Sequence, residues 1–502
     1  MLGADTDALR ALDQRAQALG VLVRHLGDAV RAEAESVAWS GHDAERFRAK
    51  AEEISHATLC LSQRLGRLGA VLANQAAAQD IASSSREGRK AAGESPGGDG
   101  FSKAAPELPL GPGVQAGLGG AGGDEPAEGE ITSADYPGLF PDEKPLAELR
   151  PRREAEPVLD SLLALDDPAE VARAWDELAA SDPAMAETLV DLFHEEVGNL
   201  EGVPYSVRDT ANRLTLRDYL DSRMHARGDE YLAAVAIADE LAEGRAHPTQ
   251  LVTLEPIHDN APGPLAAAIS YGDLDTASNA TFLVPGMRSD AGADVLTSQG
   301  DAASNLLERL ATSGQTPEDS AVVSWVGYDT PELAEEPFLD RANDGALRLG
   351  EALEGYSGRN APSEHTLNVV AFSYGTTTTG QALFTGGDTY GVDNVVLLGS
   401  AGLSDEARGF RDDAADAPDV FVTDAARDEL NNVGQAWWTG SQHQHDPRSY
   451  PWATSFGSDG VEGDPTRLGV ADHTLGRPDA VGYLSKNSES LGFVAQALTD
   501  GV

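Results

Sequence analysis

Residues 366–380 read TLNVVAFSYGTTTTG, an apolar run that stops at Ser373 and gives way to small and polar residues. Leu367, Val369 and Val370 have the aliphatic, β-branched character of a buried strand, and Ala371 and Phe372 lead out of it. The Thr, Gly, Gln and Ala residues after Gly375 suit the start of a helix, so the stretch predicts strand, sharp turn, helix. At such a turn a serine hydroxyl stands exposed at the end of a sheet, provided small residues two before and two after it let strand and helix approach. Ala371 and Gly375 meet that demand, which makes the pattern a variant of the G-x-S-x-G nucleophile elbow with alanine for the first glycine. A serine that merely ends a strand would give the same five residues, so the rest of the chain must supply what a nucleophile needs.

Strand-like runs flank this stretch on both sides. LVTLEPI (251–257) and LAAAISYGD (265–273) read as paired early strands, and NATFLVPG (279–286) as a central strand ending at Gly286. AVVSWVGYD (321–329) reads as another after a helix over 293–313, and VDNVVLLGSAG (392–402), DVFVTDA (419–425) and a short ATSFGSD (453–459) follow the elbow. Strands separated by helical patterns predict an α/β fold with a doubly wound, mostly parallel sheet. Functional groups then belong at the carboxyl ends of the strands.

A serine hydroxyl is a weak nucleophile and needs a base within hydrogen-bond reach, itself oriented by a carboxylate. In α/β-hydrolases the chain order is Ser, acid, His. Asp428, in the loop after the 419–425 strand, is the expected acid; Asp424, nearer the strand end, is the runner-up. Of the three later histidines, His473, in a loop before the last helical pattern, is the expected base, while His443 and His445 in QHQHD could shape the pocket or bind a metal. Two histidines alone are a weak metal signal. An oxyanion needs two backbone N–H donors, expected from Tyr374, just after the serine, and from Met287, where Gly286 lets the backbone approach the substrate. Trp325 and Tyr328 end a neighbouring strand and could line the pocket, although core packing explains the tryptophan equally well.

Upstream, Asp167 before Pro168 and Asp182 before Pro183 predict helix starts, with helices over 168–180 and 183–197 and Gly198 ending the second. The following G-N-L-x-G-V-P and R-D-x-A-N-R (198–213) resemble the signature that precedes the catalytic domain in an uncharacterised α/β-hydrolase family, a domain of unknown function common in high-GC Gram-positive bacteria. The likeness runs from about Val171 to Thr499 and implies a V-P-G form of the oxyanion loop and a base near His473. Arg208, Asp209 and Asn212 are expected to clamp this helical preface (136–248) to the hydrolase domain (249–502).

The chain begins differently. Leu9, Leu12, Ala16, Leu19, Val23, Leu26 and Val30 form one helical seam, and Phe47, Ala51, Ile54, Thr58, Leu61, Leu65, Leu68 and Leu72 a second, with Trp39-Ser40-Gly41 between them. This hairpin (1–85) resembles the WxG-type hairpins of type VII secretion, although the usual Tyr-x-x-x-Asp/Glu signal is missing; a plain dimerisation or docking hairpin also fits, and either implies a helical partner protein. Residues 86–135, rich in Gly, Pro, Ser and Glu, are expected to be a disordered linker.

The 502 residues carry a net charge of -47, from 83 acidic and 36 basic side chains. That excludes nucleic acid as an expected partner, because phosphate contacts need clustered Lys and Arg. The single cysteine, Cys60, can form no internal disulfide, and no run approaches the length of a membrane-spanning helix. The polar, acidic opening Met1–Asp13 is unlike an ordinary signal peptide, so a cytoplasmic place or a type VII-like export route is expected. The combined expectation is a serine hydrolase acting on an ester, with a lipid or cell-envelope ester fitting an exported enzyme, and no metal or organic cofactor. A secretion-associated effector acting through its hairpin, or a hydrolase-like binding protein with a degraded site, are the alternatives.

Overall fold

Asp167 and Asp182 do start helices, each by accepting a backbone N–H of the first turn: Ala169 N for Asp167 and Met185 N for Asp182. The computed structural model describes residues 131–500 except 143, 146–147, 222–228, 258–264, 288, 290, 314, 332–337, 361–364, 386–388, 411–416, 429, 431–440 and 478–479. The hairpin expected over 1–85 and nearly all of the linker lie outside the described residues. The last residues assigned to that linker are ordered: Ser133–Asp135 form a short 3-10 turn, and Ser133 donates through both N and Oγ to Asp221.

The preface consists of α1 (Arg152–Leu163), α2 (Pro168–Ser181), α3 (Pro183–Leu192), α4 (His194–Gly198), α5 (Tyr205–Asp221) and α6 (Asp229–Ala242). The helix expected over 183–197 is two, because Phe193 leaves helical backbone (φ -138°, ψ 43°) and buries its ring against the preface core with Trp175, Leu189 and Val197.

Among the described residues eight strands follow: β1 (Thr249–Pro256), β2 (Leu265–Tyr271), β3 (Asn279–Val284), β4 (Ser320–Val326), β5 (Thr366–Phe372), β6 (Asn394–Leu398), β7 (Asp419–Thr423) and β8 (Ala453–Ser455). They make one sheet in the order β1-β2-β4-β3-β5-β6-β7-β8, with β2 antiparallel to β1 and β4 and every other pairing parallel. The crossovers are α7 (Ala293–Thr312), α8 (Asp340–Arg359) and α9 (Tyr374–Leu383), and α10 (Glu489–Asp500) closes the described chain. This is the α/β-hydrolase fold.

The central strands are apolar throughout because both faces are covered. Leu283, Val322, Val370 and Val396 point into a core shared with α6, α7 and α10, while Phe282, Val323, Val369 and Val395 point into the opposite core beneath α8 and α9. Residues alternate between the two cores with the strand period of two. Among the described residues, no helix is long and apolar enough to cross a membrane.

The 198–213 motif explains how β1 ends the sheet. An edge strand exposes alternate N–H and C=O groups; here side chains answer them. Asp209 Oδ1 accepts Leu251 N at 2.7 Å, and Asn212 Nδ2 donates to Leu251 O at 3.0 Å. The Asn199 amide takes Leu254 N and gives to Leu254 O, both at 2.9 Å, and Arg213 donates to Thr249 O at 3.1 Å. Arg208 does not reach the strand: it holds Gly198 O and grips Glu201 with two nitrogens, at 2.5 and 2.9 Å. Asn212 also donates to Gly198 O at 2.9 Å. Asn212→Ala therefore leaves Leu251 O without its side-chain donor and Gly198 O with Arg208 alone, and is expected to lower stability by about 1–2 kcal/mol, read as an earlier urea midpoint at unchanged slope.

Candidate active site

β5 stops at Ser373 because the backbone turns over there: Ser373 has φ 55° and ψ -126°, a left-handed φ that non-glycine residues seldom adopt. The turn is held from several directions. Ser373 N donates to Leu398 O at 3.0 Å, and Ser373 O accepts Thr376 N at 3.0 Å and Thr376 Oγ1 at 2.7 Å. Two glycines let three chain segments converge. A β-carbon on Gly375 would lie 2.4 Å from Pro285 O and 2.6 Å from Val284 O; one on Gly286 would lie 2.7 Å from Ser373 Cβ. The end of β3 thus presses against both the serine and the first turn of α9.

Ser373 Oγ lies 2.7 Å from His473 Nε2, and His473 Nδ1 lies 2.7 and 2.9 Å from the two oxygens of Asp428. An ionised carboxylate only accepts, so Nδ1 carries the proton toward Asp428 and Nε2 presents its lone pair to the serine hydroxyl. The Phe372 ring packs on the imidazole with centroids 4.7 Å apart. Asp428 is buried, and burial alone would push its carboxyl up. The hydrogen bond and electrostatic pull of His473 and the donors Tyr483 and Leu430 N outweigh burial and hold it below the usual carboxylate range.

Asp424 serves elsewhere. Its Oδ1 accepts Ser400 N at 2.8 Å and its Oδ2 is 3.2 Å from Arg448 Nε, an ion pair without hydrogen-bond alignment. Burial pushes Asp424 up to about 6 against the opposing pull of Arg448 and the Ser400 amide.

Tyr374 opens α9, so its amide points out of the helix N-terminus beside Ser373. Its ring is buried and its hydroxyl donates to Phe338 O. Met287 and Leu339 pack with Tyr374, Ala342 and Ala401 in a small apolar cluster next to the serine. Trp325 and Tyr328 are stacked on each other, centroids 5.9 Å apart at 21°, inside the core beneath α8 and α9, where the Tyr328 hydroxyl accepts from Thr378. Both rings pack in this core, and Trp325 also lines a small cavity with Glu201, Arg208 and Arg348. His443 is buried edge-on to Tyr374 with Nδ1 2.8 Å from Ala401 O, and His445 Nε2 is 2.7 Å from Asp405. Among the described residues no group of His, Cys, Asp and Glu is placed to hold a metal ion.

Tyr483 is the contact that sequence reasoning passes over. Its hydroxyl donates to Asp428 Oδ2 at 2.8 Å, yet in the sequence nothing separates it from a core tyrosine. The same holds for Gly399, whose φ of 52° marks a left-handed turn only the backbone reveals.

A family described as alpha/beta hydrolase matches residues 261–436, a stretch that includes Gly286, Ser373 and Asp428 and stops before His473. That match supports a hydrolase. The chain is also 28% identical over 300 residues to uncharacterised proteins from two strains of Mycobacterium tuberculosis. Each alignment covers 53% of this chain and 44% of the relative, so the chain spans less than half the length of the curated relatives it matches. Similar solved structures include a hyperthermophilic esterase from the archaeon Pyrobaculum calidifontis, at 14% identity and a TM-score of 0.28, covering 54% of this chain and 90% of that one. Porphyromonas gingivalis dipeptidyl peptidase 4 is similar at 12% identity and a TM-score of 0.23, covering 40% of this chain and 31% of that one. Likenesses at that level decide nothing about substrate.

The close approach at the elbow has a direct test. Gly375→Ala drives a methyl into two backbone carbonyls that cannot yield, and is expected to cost about 3 kcal/mol or more. Ala371→Gly, which restores the glycine of the common motif, removes one buried methyl and is expected to cost only about 1 kcal/mol. Thermal unfolding of the two variants beside the parent protein checks the order.

Proposed function

We propose that this protein is a serine hydrolase that cleaves an ester by acyl transfer to water. The observation that carries the proposal is the 2.7 Å contact between Ser373 Oγ, held on a left-handed turn, and the nitrogen of an imidazole whose other nitrogen faces a buried carboxylate. Ser373 Oγ attacks the acyl carbon while its proton passes to His473 Nε2. Asp428 holds the ring in the productive tautomer and stabilises the imidazolium. The tetrahedral oxyanion is received by the backbone N–H groups of Tyr374 and Met287, aided by the positive end of α9. Collapse breaks the bond to the alcohol, which leaves with the proton from Nε2. Water then enters by the same route: it gives a proton to Nε2, attacks the acyl-enzyme, and the carboxylic acid departs as Ser373 regains its proton.

The substrate class proposed is a lipid or cell-envelope ester, which would suit an exported enzyme. The alpha/beta hydrolase match over 261–436 supports the same class of reaction.

Labelling with a fluorophosphonate probe, which reports an activated serine without knowledge of the substrate, tests the proposal. The intact protein is expected to label, and Ser373→Ala not at all. His473→Ala should fall by about 10⁴-fold or more, as removal of a triad member does. Silence from folded intact protein, or undiminished labelling of Ser373→Ala, would sink the assignment.

A further inference from the structure

We infer that Tyr483 is a positioning residue of this site, the group that fixes Asp428 and the His473 loop relative to one another through a single side chain. The inference rests on the reading of Ser373, His473 and Asp428 as the hydrolytic machinery. Three sets of contacts carry it.

The first concerns the hydroxyl. Tyr483 O–H accepts Ala425 N at 3.0 Å, which occupies a lone pair and aims its one proton at Asp428 Oδ2, 2.8 Å away. Asp428 lies three residues after Ala425, so the phenol bridges the two ends of the turn that carries the acid. The second concerns the backbone. Tyr483 N donates to Thr474 O at 2.9 Å and Leu484 N to Leu475 O at 2.7 Å, which lashes Tyr483 to the residues just after His473. Tyr483 O is itself held by Ser490 Oγ at 2.6 Å and Ser488 Oγ at 3.1 Å. The third concerns the ring, which is fully buried and lies 5.9 Å from Phe372, the ring that packs on His473. The chain leaves space for it: a β-carbon on Gly399 would lie 2.9 and 3.1 Å from the Tyr483 ring and 3.0 Å from Asp428 Oδ2.

The chemistry follows from what a donor does to a carboxylate. With Leu430 N on Oδ1 and Tyr483 on Oδ2, rotation of the Asp428 carboxyl would break at least one bond, so the face offered to His473 Nδ1 is fixed. Burial and the Asp428 charge push the phenol far above neutrality, so Tyr483 remains a donor throughout the working range. The titratable and charged groups that face the pair are His473 on Asp428, Asp424 and Arg448 near the phenol, Asp459 on Ala426 N, and Asp472 on His473 N with Arg477 paired to it.

Tyr483→Phe in the full chain keeps the ring and deletes the hydroxyl. The rate of fluorophosphonate inactivation is expected to fall roughly tenfold at saturating probe, with the half-saturating concentration unchanged. Asp428 loses a donor that drew on its negative charge, so more of that charge faces the ring that takes the proton from Ser373. The acid limb of the rate profile should therefore move to higher pH. A purely structural role would lower the unfolding temperature and leave the rate and profile of the folded protein as they were; that result overturns the inference. Asn305→Ala, which removes a 3.0 Å bond to the neighbouring Leu484 O, serves as the structural control and should leave the profile in place. If Tyr483→Phe does not fold, Gly399→Ala wedges a methyl between the ring and Asp428 and should slow inactivation with the same shift; an unchanged profile there is equally fatal. Labelling by the intact protein with no effect of Tyr483→Phe defeats this inference alone, whereas silence from the intact protein defeats the hydrolase reading and this one together.

Discussion

The left-handed backbone at Ser373 is the constraint on which the site depends. A non-glycine residue held at such an angle costs about 1–3 kcal/mol and persists only where its surroundings leave no alternative. Here β6 fixes the amide, the first turn of α9 fixes the carbonyl, and the end of β3 closes against Gly375. The contacts from β6 and β3 come from segments distant in sequence, and only the one from α9 is local. The elbow is therefore a product of the assembled parallel sheet, and the serine is presented only once β3, β5 and β6 are in register.

Two aspartates four residues apart show how surroundings, not residue type, assign roles. Asp424 and Asp428 are both buried at the end of β7. Asp428 meets an imidazole, a phenol and an amide and is held ionised. Asp424 has one amide and one poorly aligned guanidinium to set against its burial, and it takes up a proton far more readily. Its work is structural, tying Ser400 at the end of β6 to Arg448 near β8, so the strand ends around the serine keep their spacing.

Much of this was legible in the chain because each signal had a local cause. The strands announced themselves by β-branched runs, the helix starts by Asp-Pro pairs, and the elbow by small residues flanking a serine. Signals that depend on distant partners were harder to read. Phe193 sits in a helical pattern, and only the preface core explains why it breaks the helix. Trp325 and Tyr328 end a strand, where an aromatic ring can turn toward a pocket or toward the interior; Gly327 and Gly345 make room for the interior choice by leaving space against those rings. Asp209 and Asn212 were readable as clamps from their place in the motif, while the groups they clamp belong to β1, some 40 residues further on. The tyrosine beneath Asp428 had no signature at all, since a phenol within hydrogen-bond reach of a carboxylate is a property of the folded loops.

The sealed edge of β1 bears on what counts as one folding unit here. Asn199, Asp209, Asn212 and Arg213 present amide, carboxylate and guanidinium groups in the order a ninth strand would present its peptides, so the preface completes the sheet in side-chain form. A fragment cut just before β1 would keep every group around Ser373 yet carry a bare strand margin, free to recruit the same margin of another copy. The boundary between preface and hydrolase is thus a boundary in sequence only, and solubility of the catalytic part is encoded upstream of it.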